Sequence, residues 1–165
     1  MHLRRIDSPE ELAPAVALAR EFGDWATERI GAELGIVIPE ELDHSPEVLT
    51  ELLESGGRVY VAELDGEPVG VGGLKLLSAS VGEVKRMFVR PAARGRGAGR
   101  AIVEQLVADA RALGCSTVVL ESAPFMHAAH ALYHRVGFVP SERYGGREFE
   151  SVELDGAVFM RLDLT

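Results

Sequence analysis

The middle of the chain contains the stretch Val84-Lys85-Arg86-Met87-Phe88-Val89-Arg90-Pro91-Ala92-Ala93-Arg94-Gly95-Arg96-Gly97-Ala98-Gly99-Arg100. Its first part has the apolar character of a strand that ends at a proline. Its second part is rich in glycine and arginine and opens an amphipathic helix. Glycines let the backbone turn sharply, and a helix start carries unpaired N–H groups. The stretch therefore predicts a cradle for a pyrophosphate.

The distribution of charge supports a small anionic ligand. The 165 residues carry a net charge of −9, which argues against general nucleic-acid binding. Between Val84 and Val103 there is no acidic residue, yet six basic ones occur: Lys85, Arg86, Arg90, Arg94, Arg96 and Arg100. One concentrated basic segment in an acidic protein indicates a compact polyanion. A solvated charged face is the alternative explanation.

The residues before this stretch predict helices followed by a β-meander. A short strand is expected at Leu3–Ile6, and Asp7 or Ser8 can cap a helix that starts at Pro9. Apolar spacing continues to Ile30, as one helix or as two broken near Gly23. We expect irregular structure over 31–45, a helix over 46–53, strands over 58–64 and 69–77 around an Asp-Gly turn, and a strand over 83–89.

The residues after it alternate between helix and strand. The apolar residues Ile102, Leu106, Ala110 and Leu113 have helical spacing, and Gly114 ends this helix. A buried strand over 117–120, a helix over 126–136, a strand opening at 138 and a last strand over 158–164 are expected next. With no repeat or linker, the pattern predicts one α/β domain, residues 1–165, with a mixed sheet.

Glycine-rich turns occur in several nucleotide-binding families, and the details separate them. A P-loop requires Gly-Lys-Ser/Thr, which this stretch lacks. A dinucleotide fingerprint starting at Gly95 requires glycine or alanine at position 100, where Arg100 stands. That fingerprint also follows the first strand of a parallel unit, whereas this strand follows a hairpin. Both alternatives fit poorly.

The spacing Arg94-x-x-Gly97-x-Gly99 resembles the Q/R-x-x-G-x-G/A motif of the GNAT superfamily of N-acetyltransferases. The preceding segment 83–91 is similar to the central strand of that family. Downstream, Ala131-Leu132-Tyr133-His134-Arg135-Val136-Gly137-Phe138 resembles its A-L-Y-x-x-x-G-F segment. The resemblance covers nearly the whole chain. It implies a mixed, mostly antiparallel sheet flanked by helices, with a splayed central strand 83–89.

The resemblance implies acetyl-CoA as the cosubstrate. Backbone amides of the glycine-rich loop would hold the pyrophosphate, which maps onto Arg94, Gly95, Arg96, Gly97, Ala98, Gly99 and Arg100. The central strand would pair with the pantetheine arm and polarise the thioester, which maps onto Met87, Phe88 and Val89. The alternative role for these three residues is core packing. Both roles can hold, because the backbone would bind the cosubstrate while the side chains pack in the core.

Two residues are candidates for proton transfer. Tyr133 matches the general acid of the family, which protonates the departing thiolate. The alternative is that Tyr133 only packs in the core. Glu83, at the start of the central strand, is our candidate for the base that deprotonates the amine. Glu121, at the end of the buried strand, is the second choice. A solvated or salt-bridged strand end would explain either carboxylate equally well.

Weaker candidates concern the acceptor. Trp25 on the first helix and Tyr144 in a late loop could contact it, although Trp25 also suits a core anchor. Met126 and His127 stand where the family often has asparagine, which puts one CoA contact in doubt. His127, His130 and His134 share one helix face, but no carboxylate or cysteine joins them nearby, so we expect no metal.

The leading hypothesis is therefore an enzyme that transfers acetyl from acetyl-CoA to a primary amine by direct attack in a ternary complex. The acceptor is a small molecule or a peptide amine, and a non-catalytic acyl-CoA sensor or partner-binding module is the alternative. Without a signal peptide, a membrane span or a second cysteine beside Cys115, we expect a cytoplasmic protein. It would be a monomer or a homodimer.

Overall fold

The computed structural model describes residues 1–37, 46–145 and 155–164. The strands within them are β1 His2–Ile6, β2 Arg58–Leu64, β3 Glu67–Leu76, β4 Val81–Val89, β5 Thr117–Ser122, β6 Val139–Pro140 and β7 Val158–Asp163. The α-helices are α1 Ala13–Leu34, α2 Pro46–Glu54, α3 Ala98–Ala112 and α4 His127–Val136. Short 3₁₀ turns at Pro9–Glu11 and Pro91–Ala93 precede α1 and α3.

The strands form one sheet in the order β1-β2-β3-β4-β5-β7-β6. β4 and β5 are parallel, and the other neighbouring pairs in this order are antiparallel. Helix α3 makes the crossover that a parallel pair requires. The expected mixed, mostly antiparallel sheet flanked by helices is confirmed.

The hairpin between β2 and β3 follows from its turn residues. Asp65 and Gly66 both adopt left-handed backbone angles, with φ of 52° and 84°. A two-residue turn of this kind matches the right-handed twist of the flanking strands, and Asp-Gly is among the pairs that tolerate it best. The predicted hairpin is therefore confirmed, with β3 starting two residues earlier than expected.

The predicted start of the first helix was wrong by about one turn. Ser8 precedes a 3₁₀ turn without a side-chain capping bond, and α1 begins at Ala13 with Pro14 in its first turn. The helix then continues through the buried Gly23 as a single element. It ends at Gly35, whose φ is 67°, so the irregular segment expected from residue 31 starts later. Residues 38–45 of that segment lie outside the described residues.

Two apolar cores lie on opposite faces of the sheet. Helices α1 and α2 cover one face with a core that includes Leu18, Leu49, Val61, Val71 and Phe88. Helices α3 and α4 cover the other with a core that includes Ile102, Leu106, Leu120, Tyr133 and Phe138. We call these the α1 face and the α3 face. Each buried aliphatic or aromatic side chain contributes about 1.5–3 kcal/mol to the free energy of folding.

Helix α3 lies unusually close to β3, and a glycine makes this possible. A Cβ atom added to Gly72 would lie 2.5 Å from Ile102 Cγ2 and 2.5 Å from Met87 Sδ. Real Cβ atoms do not approach other atoms so closely, so a larger residue would push α3 away from the sheet.

Cys115 is buried just before β5, and burial raises the pKa of its thiol, which makes the thiol less reactive. Within the described residues, no helix combines the length and the apolar character needed to span a bilayer.

Candidate active site

A gap opens in the sheet between the two parallel strands. The ladder between β4 and β5 covers Val81 to Glu83 on one strand and Thr117 to Val119 on the other. Beyond it, β4 follows β3 as far as Val89, while β5 follows β7 as far as Ser122. The strands therefore diverge toward their carboxyl ends, and the expected splay of the central strand is confirmed.

A β-bulge bends β4 beside the gap. The register with β3 runs from Phe88 opposite Val71 to Lys85 opposite Gly73, so β4 carries one residue more than β3 between these pairs. Arg86 has a φ of 55°, a left-handed conformation that non-glycine residues rarely adopt. Bulges of this kind increase the local twist and redirect a strand. This bulge turns the last residues of β4 away from β5.

The end of β4 directs its backbone into the gap. The N–H of Arg90 donates to the carbonyl oxygen of Val69 on β3 at 2.8 Å. Because successive backbone groups of a strand point to opposite sides, the N–H and C=O of Val89 point away from β3. In agreement, Arg94 Nε donates to the Val89 carbonyl oxygen at 3.1 Å. The side chain of Met87 packs on the α3 face and that of Phe88 on the α1 face.

The glycine-rich loop follows with an open backbone. Gly95 and Gly97 have φ values of 76° and 88°, and a Cβ atom at either position would meet nothing within 4 Å. The first helical bond runs from the Ala101 N–H to the Gly97 carbonyl at 3.0 Å. The N–H groups of Ala98, Gly99 and Arg100 therefore have no acceptor inside α3. Gly97, at the cap position, has no side chain to offer one.

Arginines surround these amides. Arg94, Arg96 and Arg100 are all exposed. Arg94 binds back to Val89, and Arg100 pairs with Glu104 one turn along α3 at 2.7 Å. The positive end of the α3 dipole adds to their charge. Together they make the start of α3 a cationic region. Two of the six basic residues of the segment lie elsewhere, since Lys85 pairs with Glu83 and Arg90 with Glu21.

Tyr133 lies on α4, beside the start of α3. Gly99 allows this proximity, since a Cβ atom there would be 3.1 Å from Leu132 Cδ2. The Tyr133 side chain is only 5% exposed and its ring packs on Phe138, with centroids 5.9 Å apart. Burial raises the pKa of the Tyr133 phenol, so it keeps its proton at neutral pH. The structure therefore shows Tyr133 as a core residue of the α3 face with a neutral phenol.

Glu83 lies at the point where β4 and β5 separate. Its neighbour Val84 belongs to the core of the α3 face, so Glu83 points to the α1 face. The carboxylate is 3% exposed. It accepts a hydrogen bond from the Tyr144 hydroxyl at 2.9 Å, and Lys85 Nζ lies 3.5 Å away. The structure thus brings together Glu83 and Tyr144, which are 61 positions apart in the sequence.

Glu121 lies on the same face of the neighbouring strand. Val118 and Leu120 belong to the α3-face core, so the alternation of β5 directs Glu121 to the α1 face. Its partner on β7 is Phe159, whose ring packs perpendicular to that of Tyr144, with centroids 5.9 Å apart. The α1 face therefore gathers two carboxylates beside the gap.

Helix α1 crosses the gap on this face. Phe22 contacts Phe88 of β4 at 5.8 Å, and Trp25 contacts Phe125, which follows β5, at 6.1 Å. Phe22 and Trp25 are themselves stacked at 6.3 Å. The half-buried Trp25 is thus part of an aromatic layer over the gap, and Phe125, Phe22 and Lys85 are site residues that sequence reasoning missed. Phe22 had a signal as an apolar residue of the helical pattern, and Lys85 had one as a member of the basic segment.

The three histidines of α4 do not form a common centre. His130 Nε2 lies 3.0 Å from Ser122 Oγ, and its ring contacts His127 edge-on at 6.1 Å. Burial, with the neighbouring His127, lowers the pKa of His130. In the described parts of the chain, no three His, Cys, Asp or Glu side chains are grouped to hold a metal ion.

Comparison with known proteins gives the family. The model of the acetyltransferase (GNAT) family matches residues 16–138. The chain belongs to the GNAT acetyltransferase family. The resemblance drawn from the glycine-rich motif and the Tyr133 segment is thereby confirmed, and the chain is an N-acetyltransferase.

Individual relatives agree with this assignment. This GNAT acetyltransferase is 36% identical over 138 residues to the IAA acetyltransferase of Azospirillum brasilense, covering 80% of this chain and 90% of that protein. It is 30% identical to the aminoglycoside N(6')-acetyltransferase type 1 of Stenotrophomonas maltophilia, over 79% of this chain and 90% of that one. The PaiA N-acetyltransferase of Thermoplasma acidophilum, solved with coenzyme A, has the same fold, with a TM-score of 0.72, 18% identity and coverage of 99% of both chains.

Proposed function

We propose that this protein transfers an acetyl group from acetyl-CoA to a primary amine, with the two substrates entering the gap from opposite faces of the sheet. The observation that carries the proposal is the row of N–H groups without helical acceptors at Ala98, Gly99 and Arg100, beside the strand edge that ends at Val89. A pyrophosphate fits this row, because amides, the helix dipole and three arginines all favour negative charge there.

The gap fits the remainder of the cosubstrate. A pantetheine arm is extended and carries amide groups, so it can take the place of a strand beside β4. The N–H of Val89, which points into the gap, offers a donor to it or to the thioester carbonyl. In relatives of the same fold the cosubstrate is known, since the PaiA structure contains coenzyme A.

The α1 face fits the acceptor. Glu83 and Glu121 place two carboxylates on this face, and Lys85 lies 3.5 Å from the first. A carboxylate at this point can accept a proton from an amine that lies beside it. The first steps then depend on the residues of the chain: Glu83 takes a proton from the amine, directly or through water, and the amine nitrogen bonds to the thioester carbonyl carbon. Tyr133, on the other face, gives its proton to the sulfur as the carbon–sulfur bond breaks. The new amide nitrogen loses its second proton at the same stage, and this proton returns to Tyr133 through water. No covalent enzyme intermediate is needed, and the buried Cys115 is not placed to form one.

The raised pKa of Tyr133 suits it to this role in one respect. A phenol that stays neutral at the working pH always holds the proton that the thiolate needs. Transfer becomes favourable when the thiolate forms in the same water-poor surroundings, because an unsolvated thiolate is itself a stronger base.

Two measurements test the proposal. Titration calorimetry with coenzyme A, ATP and NAD tests the anion site. We expect tight binding of coenzyme A and no binding of ATP or NAD. Release of free thiol from acetyl-CoA is then followed with a panel of amines that includes amino acids, peptides and an aminoglycoside, and mass spectrometry identifies the acetylated product. Binding of coenzyme A without acetylation of any amine would indicate an acyl-CoA sensor instead.

A further inference from the structure

Arg29 on α1 lies against the aromatic layer over the gap. Its guanidinium carbon is 5.9 Å from the ring centroid of Trp25 and 5.2 Å from that of Phe125. Trp25 comes from the helix that crosses the gap, and Phe125 comes from the segment that leaves β5. The cation is therefore held by one ring from each side of the opening.

The guanidinium is incompletely bonded. Its Nε is buried and has no hydrogen-bond partner. Among the described residues, the other buried side-chain nitrogen and oxygen atoms have partners. Its Nη2 lies 3.1 Å from Glu33 one turn along α1. Both of these side chains are nearly half exposed, at 43% and 47%. Exposed pairs of this spacing are weak, so Glu33 is a partner that a ligand can replace.

A ligand carboxylate matches this geometry. Adjacent Nε–H and Nη–H groups form a planar fork that binds the two oxygens of a carboxylate. A small rotation of the half-exposed side chain would bring its Nε–Nη2 edge to such a ligand and give the unpaired N–H an acceptor. Trp25 and Phe125 would meanwhile keep the guanidinium in place and offer ring surfaces to a flat apolar group.

Carboxylates lie on the same face as Arg29. Glu83 and Glu121 are on β4 and β5 beside the gap, with Lys85 3.5 Å from Glu83, and Arg29 is on the helix that crosses it. A small molecule that carries both an ammonium group and a carboxylate would find a partner of opposite charge for each on this face. The acidic side would receive the amine next to the thioester, and Arg29 would fix the orientation of the molecule.

We propose that the acceptor is a small aromatic amino acid or a related aromatic amino-carboxylate. Its carboxylate binds Arg29, its ring packs on Trp25 and Phe125, and its amine points to Glu83. This inference rests on the proposed acetyl transfer and adds a substrate class to it. Arg29 acts on specificity alone, since it does not touch the reacting atoms.

The test compares matched acceptors in two variants. Acetyl-CoA turnover is measured with phenylalanine and tryptophan and with phenethylamine and tryptamine, which lack only the carboxylate. The wild type is expected to favour the amino acids in kcat/KM by about 10–100-fold, the range of charged hydrogen bonds expressed as a rate ratio. In Arg29→Gln this preference should disappear through a rise in KM for the amino acids, with kcat and the KM for acetyl-CoA retained.

Arg20→Gln is the matched control, because Arg20 is an exposed arginine of the same helix. It should keep the wild-type preference. Equal turnover of amines with and without the carboxylate, acetylation of peptides but not amino acids, or an unchanged preference in Arg29→Gln would overturn the substrate class while leaving acetyl transfer intact. Failure of every amine, with coenzyme A still bound, would overturn both proposals.

Discussion

The two faces of the sheet meet the gap between β4 and β5 with different chemistry. On the α3 face, the start of α3 offers backbone amides, and α4 offers one neutral phenol in an apolar core. On the α1 face, carboxylates of two strands lie under aromatic rings and one arginine. The first face is built by backbone conformation in one continuous segment. The second is built by side chains from separate elements.

This difference teaches which part of such a site can vary. A site made of backbone groups needs glycines and a helix start, and it binds the same diphosphate whatever the acceptor. A site made of side chains changes its ligand with each substitution. We therefore expect changes on the α3 face to affect all acceptors equally. Changes to the side chains of the α1 face that bind the acceptor, such as Arg29, should affect one acceptor relative to another.

The largest expected effect is on the α3 face, at Tyr133. Tyr133→Phe removes the proposed general acid and keeps the ring that packs on Phe138. Since general acids contribute typically 10²–10⁴-fold, kcat should fall by about a thousandfold for every acceptor, with little change in the KM for acetyl-CoA. Steady-state kinetics measures both. Retention of kcat would leave Tyr133 as a core residue only.

The next effect is on the α1 face, at Glu83. Glu83→Gln should lower kcat/KM by about a hundredfold and remove the limb on which the rate rises with pH. Glu121→Gln is the comparison, because Glu121 lies on the same face of β5. If the rising limb survives in Glu83→Gln and disappears in Glu121→Gln, the roles of the two carboxylates are exchanged.

A smaller effect tests the backbone site. Gly97→Ala places a Cβ on a residue with φ of 88°, which costs about 1–2 kcal/mol, so the loop should relax away from its binding shape. Binding must then restore that shape, and the dissociation constant of coenzyme A should rise about tenfold in calorimetry. Gly66→Ala, at φ of 84° in the β2–β3 turn, is the matched control. It should lower thermal stability without weakening coenzyme A binding.

The smallest effect is expected at Tyr60, which lies away from the gap. It tests whether the loss of a tyrosine hydroxyl outside the site leaves the activity unchanged. Burial and the hydrogen bond that Tyr60 donates to Asp109 at 2.7 Å raise the pKa of Tyr60 from 10.0 to about 12. Between these pH values the unfolded chain loses the proton first, so stability falls as the pH rises. Tyr60→Phe should flatten this part of the melting-temperature profile and leave kcat unchanged. A loss of activity in Tyr60→Phe would mean that the loss in Tyr133→Phe cannot be assigned to the missing general acid.

The sequence predicted the α3 face far better than the α1 face, for a physical reason. The amides of the loop are next to one another in the chain, and the glycines that free them are visible as a spacing. The bond from Tyr144 to Glu83 joins residues 61 positions apart. No local pattern encodes such a contact, and Phe125 and Arg29 meet only because α1 crosses the sheet.

The errors in the helices have a similar origin. Ser8 and Pro9 have the composition of a helix start, yet they form a 3₁₀ turn, because capping preference is local and the entry of α1 is set by packing. Gly31 looked like a helix end, but Ile30 and Leu34 continue the buried and half-buried side of α1. A glycine inside a helix costs only about 1 kcal/mol, which packing can outweigh. Gly35, with its left-handed backbone, ends the helix instead.

The short ladder between β4 and β5 has a consequence for the empty enzyme. Three residue pairs join the half of the sheet that holds β1–β4 to the half that holds β5–β7. An extended molecule bound between the diverging strands would contact both halves and hold them together. The bound cosubstrate would then stabilise the fold. Without it, the boundary between β4 and β5 should be the first region to unfold on heating and the first to be cut by proteases.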